Sequence, residues 1–366
     1  MTRTPAEQHT NRKAGMTATR ADVARLAGVS PALVSYVMNN GPRPVSPEAR
    51  ARIERAIDTL NYKPNAIARA LRGSETKMIG LLTPDTENPF FAELAKAIEQ
   101  ELFDDGYLLL VGITKDDPSR QLQYARTFLE RKVDGLLILS SRVGRAMTEL
   151  CDAVPTVTLD RTPLLPHASS VETDSMTGAR RIVEHLQMHD IQLIGCIAGP
   201  PQTRVTEKRT KGWRIQQNAM GYAENRNLVA YASFTPQDGY EAAKRLFTSK
   251  TIADALRRGE HVGLFTHADV QALGAMHALL DMGIDVPGQV AIASFDGTQL
   301  SRHFTPTLTS YAQPVDEIAH SAVSELIRRI DTGGQQQQRR SIKIEGNLRI
   351  GGSCGCKPDG PLLQKA

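Results

Sequence analysis

Hydrophobic residues near the start of the chain recur at the three- and four-residue spacing that is typical of short amphipathic helices. A first helix is predicted to begin after Thr19, whose hydroxyl can cap free backbone N–H groups, and to end in a tight turn at Gly28. Ser30 is predicted to cap a second helix with Pro31 at its first position, and Ser46 to cap a third. The apolar faces predicted for the three helices are Val23, Leu26 and Ala27, then Val34, Val37 and Met38, then Ala49, Ile53, Ile57 and Leu60. Three such helices predict one compact helix-turn-helix unit.

The second of these helices presents short and polar side chains on the face opposite its apolar residues. In a helix-turn-helix unit this helix enters the major groove, where residues near its N-terminus contact base edges and polar side chains contact phosphates. The alternative is a helical hairpin that only packs against protein. The candidate DNA contacts are Ser30, Pro31, Ala32, Ser35, Tyr36 and Asn39, together with Thr19 at the start of the preceding helix.

Positive charge is concentrated at the same end of the chain. Residues 1–77 contain 13 Lys and Arg against 6 Asp and Glu, a net charge of +7, whereas the remaining residues contain 31 basic and 34 acidic side chains, a net charge of −3. Phosphate binding and counterion release require a localised positive field of this kind. The charge distribution therefore favours DNA binding over a purely structural hairpin.

From residue 78 onward, strand-length apolar runs alternate with helical patterns, which is the rhythm of a parallel sheet covered by helices on both faces. The roughly 290 residues of this part are too many for one typical core, so two similar halves with a cleft between them are predicted. Predicted strands are 79–82, 108–112, 133–139, 156–159, 193–198, 262–265 and 290–295, and predicted helices are 89–103, 120–129, 176–186, 206–223, 270–282 and a long stripe over 314–330.

Three runs of sequence carry a family resemblance: ADVARLAGVSPALVSYVMN (21–39), LNYKPNAIARALR (60–72) and IGLLTPD (79–85). They closely resemble the LacI/GalR family of bacterial transcription regulators, and the resemblance extends from about Thr19 to Ser353. It implies an N-terminal all-α helix-turn-helix domain with a hinge helix. It further implies a C-terminal α/β type I periplasmic-binding-protein-like fold of two doubly wound subdomains, with the chain crossing between them several times.

The same resemblance assigns a second DNA-reading device to residues 65–71. In the family, the matching segment forms a short hinge helix when the dimer meets its operator, and Asn65 is the candidate cap at its start. The resemblance implies that Leu71 is an apolar wedge driven from the minor groove into the central base step. The alternative for Leu71 is an ordinary linker leucine. The reading helix departs from the family at Leu33, where Thr is common, and at Tyr36, where Arg is common, so contacts to thymine methyl groups are expected to matter more than bidentate pairing with guanine.

Polar residues that follow the predicted strands are candidates for an effector site, because ligands of open α/β sheets bind beyond the carboxyl ends of the strands. Asp160 and Asp296 each follow such a run, and both match family positions that hydrogen-bond an inducer. Arg209 matches the arginine that clamps the effector, and an arginine between carboxylates can hold vicinal hydroxyls or a ligand carboxylate. Asp85 is a further candidate. The alternative for Asp160 and Arg209 is a structural ion pair.

The remaining effector candidates are aromatic or replace a missing family residue. Phe90 and Phe91 begin a predicted helix and are expected to contact the effector, as is Trp213, with ordinary core packing as the alternative for all three. The family often has Asn-Asp where this chain has Ala268-Asp269, so the usual amide is absent and the neighbouring His267 is the candidate to replace it.

The sequence contains little that indicates an enzyme, a cofactor site or a metal site. A Walker phosphate loop and a Gly-x-Gly-x-x-Gly after the first strand are both absent from the sequence, so neither an enzyme nor a cofactor is expected. His185 and His189 stand at i, i+4, but a zinc site there would need further ligands that the sequence does not identify, and a solvated helix face is the alternative. Two functions are open for the segment Cys354-Gly-Cys356, namely oxidant sensing and metal binding.

The sequence also predicts the setting of the protein. The opening residues lack the apolar stretch of a secretory signal or membrane span, so a cytoplasmic protein without membrane contact is expected, as opposed to an exported solute-binding protein that would share the cleft but lack residues 19–71. The expected partners are pseudo-palindromic double-stranded operator DNA, a small-molecule effector that is a sugar or sugar derivative, and a second copy of the chain in a homodimer. The predicted layout is a disordered arm (1–18), helix-turn-helix domain (19–63), hinge helix and linker (64–77), effector-binding and dimerisation domain (78–353) and tail (354–366).

Overall fold

A computed structural model describes the chain in seven ranges. They are 18–38, 44–62, 76–191, 193–201, 203–219, 228–333 and 338–357. The chain forms two compact units, Met1–Thr76 and Lys77–Ala366. Asn39, Asn65 and Leu71 lie outside the described residues.

The first unit contains α1 (Arg20–Ala27), α2 (Pro31–Met38) and α3 (Pro47–Leu60). Thr19 and Asp22 form a reciprocal capping box at the start of α1, and the Ser46 side chain accepts the Ala49 N–H at the start of α3. Gly28 ends α1 at φ +65°, a left-handed conformation that glycine adopts without cost. Local capping chemistry therefore fixes all three of these helix ends as the sequence predicts.

The core of this unit differs from the predicted apolar face at one position. Val23, Ala24 and Ala27 are the buried residues of α1, whereas Leu26 is 53% exposed, so its assignment to the core face is wrong. Ala24 takes its place because positions 23, 24 and 27 form the stripe that packs into the three-helix core. The other buried members of this core are Val34, Val37, Ile53 and Ala56.

The second unit alternates strands and helices through two sheets. Its strands are β1 (Met78–Thr83), β2 (Leu108–Ile113), β3 (Gly135–Ile138), β4 (Thr156–Leu159), β5 (Ser169–Thr173), β6 (Leu193–Ala198), β7 (Val229–Tyr231), β8 (Val262–Thr266), β9 (Val290–Asp296), β10 (Thr309–Ala312), β11 (Ser341–Ile344) and β12 (Asn347–Arg349). Its helices are α4 (Pro89–Asp104), α5 (Pro118–Glu130), α6 (Arg145–Cys151), α7 (Ser175–Gln187), α8 (Arg204–Ala219), α9 (Pro236–Phe247), α10 (Lys250–Arg257), α11 (Asp269–Asp281) and α12 (Val315–Asp331), with 3₁₀ turns at Gln299–His303 and Gly352–Cys354.

Each sheet has six strands, and together they define two subdomains. The first sheet has the order β11-β5-β4-β3-β1-β2 and is parallel throughout; the second has the order β12-β10-β9-β8-β6-β7 and is parallel except for β12, which runs antiparallel to β10. The chain passes between the subdomains three times, after β5, after β10 and after β11. This confirms the predicted two-subdomain α/β fold and its repeated crossings.

Several elements were not predicted from the sequence. They are α6, α9, α10, β5, β7, β10, β11 and β12. The strand β5 shows why: its sequence SSVET is mostly polar, yet all five residues are buried. Its hydroxyls are satisfied by tertiary partners, as when Ser169 Oγ donates to Glu325 Oε1 at 2.7 Å. None of the helices in the described ranges combines the length and apolar character that crossing a bilayer requires.

Candidate functional site

A cavity of about 250 Å³, counting the space open to solvent, lies between the two subdomains at the carboxyl ends of their strands. The first subdomain contributes side chains that follow β1 and β4, and the second contributes residues from α8, from the segment after β7 and from the end of β9. The lining residues are Asn88, Phe90, Phe91, Asp160, Arg161, Val205, Arg209, Phe234 and Asp296. The structure thus brings together five of the predicted effector residues.

Two buried carboxyl groups enter the cavity from opposite subdomains. Asp160 follows β4 and Asp296 ends β9, and both have positive φ, +43° and +115°. Burial raises the pKa of the Asp160 carboxyl, and the charge of Arg209 lowers this pKa in part. Burial raises the pKa of the Asp296 carboxyl well above its usual value. A ligand hydroxyl that donates to these groups would stabilise their charged form.

Arg209 on α8 is 3% exposed and lies against the second carboxylate. Its Nη1 is 3.6 Å from Asp296 Oδ1, the same nitrogen donates to the backbone oxygen of His267, and the guanidinium lies 3.7 Å from the centroid of the Phe295 ring. Its Nε is buried and has no hydrogen-bond partner in the described part of the chain. Burial lowers the pKa of Arg209. The negative charge of Asp296, and to a smaller extent that of Asp160, raises it. The arginine therefore retains a donor for a further acceptor.

Arg161 is a second cavity arginine, which the sequence analysis missed. It pairs with Asp116 through Nη2, and its guanidinium carbon lies 5.4 Å from the ring centroids of both Phe91 and Phe234. Its Nε, like that of Arg209, is buried without a hydrogen-bond partner among the described residues. Its position directly after Asp160, beyond the end of β4, was the signal that could have identified it.

The structure places the remaining predicted effector residues as follows. Phe90 and Phe91 line the cavity with their rings edge to face at 5.6 Å. Asp85 is not among the lining residues, and its Oδ1 accepts the backbone N–H groups of Glu87 and Asn88 at the start of α4. Trp213 packs in the core and donates from Nε1 to the Ile194 carbonyl at 3.1 Å, which agrees with its alternative interpretation.

The His267 side chain also lies outside the cavity lining. Its Nδ1 accepts the Gly199 N–H at 3.2 Å, its Nε2 is 3.5 Å from Cys196 Sγ, and burial lowers its pKa well below 6.5. A neutral ring with both nitrogens engaged inside the second sheet is not positioned to replace the missing amide. What reaches the site is its backbone oxygen, which accepts from Arg209.

Asp269, next to the missing amide, is a buried acceptor behind the cavity. Its carboxylate accepts hydrogen bonds from Ser294 and Ser310 through Oδ1, and from the backbone and side chain of Thr298 through Oδ2. These four donors tie the start of α11 to β9 and β10. Asp269 therefore fixes the strand end that carries Asp296.

Polar contacts join the two subdomains around the cavity. Lys208 Nζ on α8 is 2.7 Å from both carboxylate oxygens of Glu172 in β5. A second contact is made by the backbone N–H of Gln299, which donates to Glu93 Oε1 at 2.9 Å. These contacts join the walls of the cleft.

Four of the candidate DNA-reading residues, Pro31, Ala32, Ser35 and Tyr36, lie on α2. Pro31 and Ala32 are exposed, and Ser35 and Tyr36 are half-buried. Ser30 Oγ caps α2 by accepting the Leu33 N–H at 3.2 Å. Arg20 Nη1 donates to Ser35 Oγ at 2.5 Å, so the Ser35 hydroxyl still has its proton to donate. The N-terminal turn of α2 is therefore exposed.

Comparisons with known proteins agree with both parts of the chain. Residues 19–65 match the bacterial regulatory proteins of the lacI family, and residues 183–354 match a periplasmic binding protein-like domain. The ribose operon repressor of Escherichia coli (strain K12) is 33% identical over 328 residues, which cover 89% of this chain and 97% of that protein. The HTH-type transcriptional repressor PurR of Haemophilus influenzae (strain 86-028NP) is 32% identical over 337 residues, 91% of this chain and 98% of that protein.

A solved structure extends the agreement to the fold. The complex of the transcriptional regulator CelR with cellobiose superposes with a TM-score of 0.68 at 26% identity, covering 92% of this chain and 99% of that one. A three-helix DNA-reading unit followed by a two-subdomain cleft defines a class of ligand-responsive DNA-binding regulators. The chain belongs to the LacI family of bacterial transcriptional regulators, and it is a DNA-binding regulator rather than an enzyme.

Proposed function

We propose that this protein is a repressor whose affinity for a pseudo-palindromic operator is set by a small sugar or sugar derivative in the cleft. The observation that carries the ligand part is the set of four buried charged groups in one cavity. Asp160 and Arg161 come from the first subdomain, Arg209 and Asp296 from the second, and the Nε of each arginine is buried without a partner among the described residues.

The chemistry of these four groups favours a polyhydroxylated ligand. Sugar hydroxyls donate to carboxylates and accept from arginines, so one ring can satisfy both kinds of group at once. A ligand with its own carboxylate would gain from the arginines but would also meet Asp160 and Asp296. Phe90, Phe91 and Phe234 supply apolar faces for the C–H groups of a sugar ring.

Binding across the cleft supplies a mechanism of control. A ligand that contacts Asp160 and Asp296 together favours one arrangement of the two subdomains, and only such differential affinity can shift DNA binding. In a dimer, a change in that arrangement alters the spacing of the paired hinge segments over the operator. Release of the operator on ligand binding is the outcome we propose.

The DNA part of the proposal rests on α1–α3 and on the charge of the first 77 residues, net +7. Thr19, Ser30, Pro31, Ala32, Ser35, Tyr36 and Asn39 are proposed to contact the major groove and its phosphates, and Asn65 and Leu71 to serve the hinge. A homodimer fits the exposed apolar side chains at one edge of the first sheet, Leu108 and Val111 on β2 and Phe103 at the end of α4. A protein that acts on bacterial DNA in this way works in the cytoplasm.

The test uses the full chain in two stages. Operator fragments are first selected from genomic DNA at moderate salt, and the chain is then screened against pentoses, hexoses, sugar acids, nucleobases and amino acids by thermal shift, since a ligand of the native state raises the melting temperature. We expect one sugar or sugar derivative to raise it and to weaken operator binding. A panel in which only nucleobases or amino acids act would contradict the ligand class, and no preference for any genomic fragment would contradict the DNA part.

A further inference from the structure

Four side chains with metal-binding atoms meet on the second subdomain, at the end of its sheet away from the cleft. His185 lies in the last turn of α7 and His189 one turn beyond it, while Cys354 ends the last 3₁₀ turn and Cys356 follows two residues later. Their ligand atoms all lie within 4.8 Å of one another. We propose that these residues form a His₂Cys₂ site that binds a structural Zn²⁺ ion.

The distances between the ligand atoms match a tetrahedral zinc site. Bond lengths of about 2.3 Å to sulfur and about 2.1 Å to nitrogen put neighbouring sulfur and nitrogen ligands about 3.6 Å apart. His185 Nε2 is 3.3 Å from Cys354 Sγ and 3.9 Å from Cys356 Sγ, and His189 Nε2 is 3.2 Å from Cys356 Sγ. Small side-chain adjustments therefore suffice to place one ion at the centre.

The backbone on both sides brings the ligands together. The i, i+4 spacing places the two histidine rings 5.0 Å apart on the same face at the end of α7. On the other side, Gly355 has φ +91°, a conformation that side chains rarely adopt, and it reverses the chain between the two cysteines. The Cys-Gly-Cys sequence thus directs both sulfur atoms towards one helix.

The surroundings of the sulfur atoms suit a bound metal. Cys354 is fully buried, and its Sγ accepts a hydrogen bond from Thr309 Oγ1 at 3.0 Å, a contact that orients a ligand and stabilises a thiolate. The loop is held beneath it by Ser353, whose Oγ donates to the Ile292 carbonyl at 2.7 Å and accepts the Thr309 N–H at 2.9 Å. The cysteines are thiols in the structure, the form that binds metal after loss of a proton.

The donor set selects the kind of ion. Two imidazoles and two thiolates at tetrahedral spacing suit Zn²⁺, whereas Mg²⁺ and Ca²⁺ prefer oxygen ligands. Four protein ligands leave no open position, so the site would be structural rather than catalytic. Its effect would be to fasten the C-terminal segment to α7. The site is distinct from the effector site, because Thr309 begins β10 whereas the cleft residue Asp296 pairs with Ala312 at the opposite end of that strand.

The test measures metal directly on the full chain, purified without a polyhistidine tag and under reducing conditions. We expect close to one equivalent of zinc after dialysis, and Co²⁺ in its place to give the visible bands and thiolate charge transfer of a tetrahedral site with sulfur ligands. Cys356→Ser and His189→Ala should each lower the zinc affinity at least about tenfold and lower the melting temperature of the zinc-loaded chain. These two residues are only partly buried, so we expect both variants to fold.

Matched controls lie outside the cluster. Cys151→Ala removes a cysteine of the first subdomain, and His277→Ala removes an exposed histidine of α11, and both should keep full zinc content. Binding well below one equivalent after incubation with zinc would overturn the proposal, as would a cobalt spectrum without thiolate charge transfer. Full affinity in Cys356→Ser, or a Cys354–Cys356 disulfide that persists under reducing conditions, would also overturn it.

Discussion

Thr173 and Gln313 are joined by a hydrogen bond at the junction of the two subdomains, with Thr173 Oγ1 donating to Gln313 Oε1 at 2.7 Å. Thr173 ends β5 of the first sheet, and Gln313 follows β10 of the second. The Nε2 of Gln313 in turn donates to Asp296 Oδ1 at 2.8 Å. The cleft carboxylate is therefore linked through one amide to the end of β5, the strand after which the chain first crosses to the second subdomain.

Replacement of Gln313 by alanine should weaken effector binding without weakening operator binding. The change leaves buried Thr173 and Asp296 each without one partner, at a cost of about 1–3 kcal/mol per unsatisfied group. We expect effector affinity to fall about tenfold and operator affinity without effector to remain near that of the wild type, measured by calorimetry and by fluorescence anisotropy. Gln123→Ala, on the exposed face of α5, is the control, and equal behaviour of the two variants would contradict the link.

Arg209→Ala should abolish the ligand response and leave DNA binding intact. The substitution removes the buried guanidinium that lies between the Phe295 ring and Asp296, so both carboxylates of the cleft lose their nearest compensating charge on the second subdomain. The operator affinity and the effector titration are measured on the same preparation. Arg214→Ala, an exposed arginine on the same helix, should behave as the wild type, and a normal titration of Arg209→Ala would rule out the assigned pocket.

Effector affinity should fall as the pH is lowered. Burial raises the pKa of Asp160 and Asp296 above the usual 3.8, so these carboxyls take up protons in the free protein at a higher pH than exposed ones. Ligand hydroxyls that donate to the ionised groups bind the deprotonated form, so affinity rises as the pH passes upward through the raised pKa and then levels off.

Calorimetry between about pH 5 and pH 8, in buffers of different ionisation enthalpy, measures both the affinity and the protons released on binding. The Asp160→Asn variant should bind more weakly and show a flatter profile. Affinity that strengthens on acidification would contradict hydrogen bonding to ionised carboxylates.

Leu71→Ala should separate specific from non-specific DNA binding. An apolar wedge stabilises only the kinked operator, so its loss should lower specific affinity about tenfold to a hundredfold and change the affinity for random duplex little. Both are measured by anisotropy at one salt concentration. Leu280→Ala, a 74% exposed leucine of the second unit, is the control. Equal losses on operator and random DNA would show that Leu71 is an ordinary linker residue.

Two glycines lie where α9 crosses α11, so one added methyl group there should strongly lower the free energy of unfolding. A Cβ at Gly274 would lie 1.8 Å from the Pro236 carbonyl oxygen, and one at Gly239 would lie 2.4 Å from the Gln271 carbonyl oxygen. Because the two backbones are in contact, Gly274→Ala should destabilise the fold by about 3 kcal/mol or more. Urea unfolding measures the change. Gly144→Ala, whose Cβ would meet its nearest neighbour at 3.9 Å, should cost less than about 1 kcal/mol.

The elements that the sequence predicted correctly are those whose conformation depends on neighbouring residues in the chain. Capping by Thr19 and Ser46, and the left-handed turn at Gly28, depend on residues within one helical turn. Asp160 and Asp296 could be placed in one cavity because the ends of parallel strands meet at the same edge of a sheet, whereas Arg209, on α8, was placed by the family resemblance. That placement follows from the order of elements without any knowledge of side-chain contacts.

The features that were missed depend on tertiary contacts. Polar β5 is a strand because distant side chains satisfy its hydroxyls. Arg161 enters the cavity between Phe91 and Phe234, which lie far apart in the sequence. His267 was expected to face the effector, but its ring points to Gly199 and Cys196 instead. The pairs His185/His189 and Cys354/Cys356 were each a weak metal signal, and only the fold brings them together.

The position of β11 has a consequence for how the protein is made. This strand, Ser341–Ile344, pairs with β5 and forms the outermost strand of a sheet whose other members are translated long before it. The first sheet is therefore complete only after β6 to β10 of the second subdomain have been synthesised. A premature stop codon before residue 341 would leave unpaired the edge of the subdomain synthesised first, as well as removing β12 from the second.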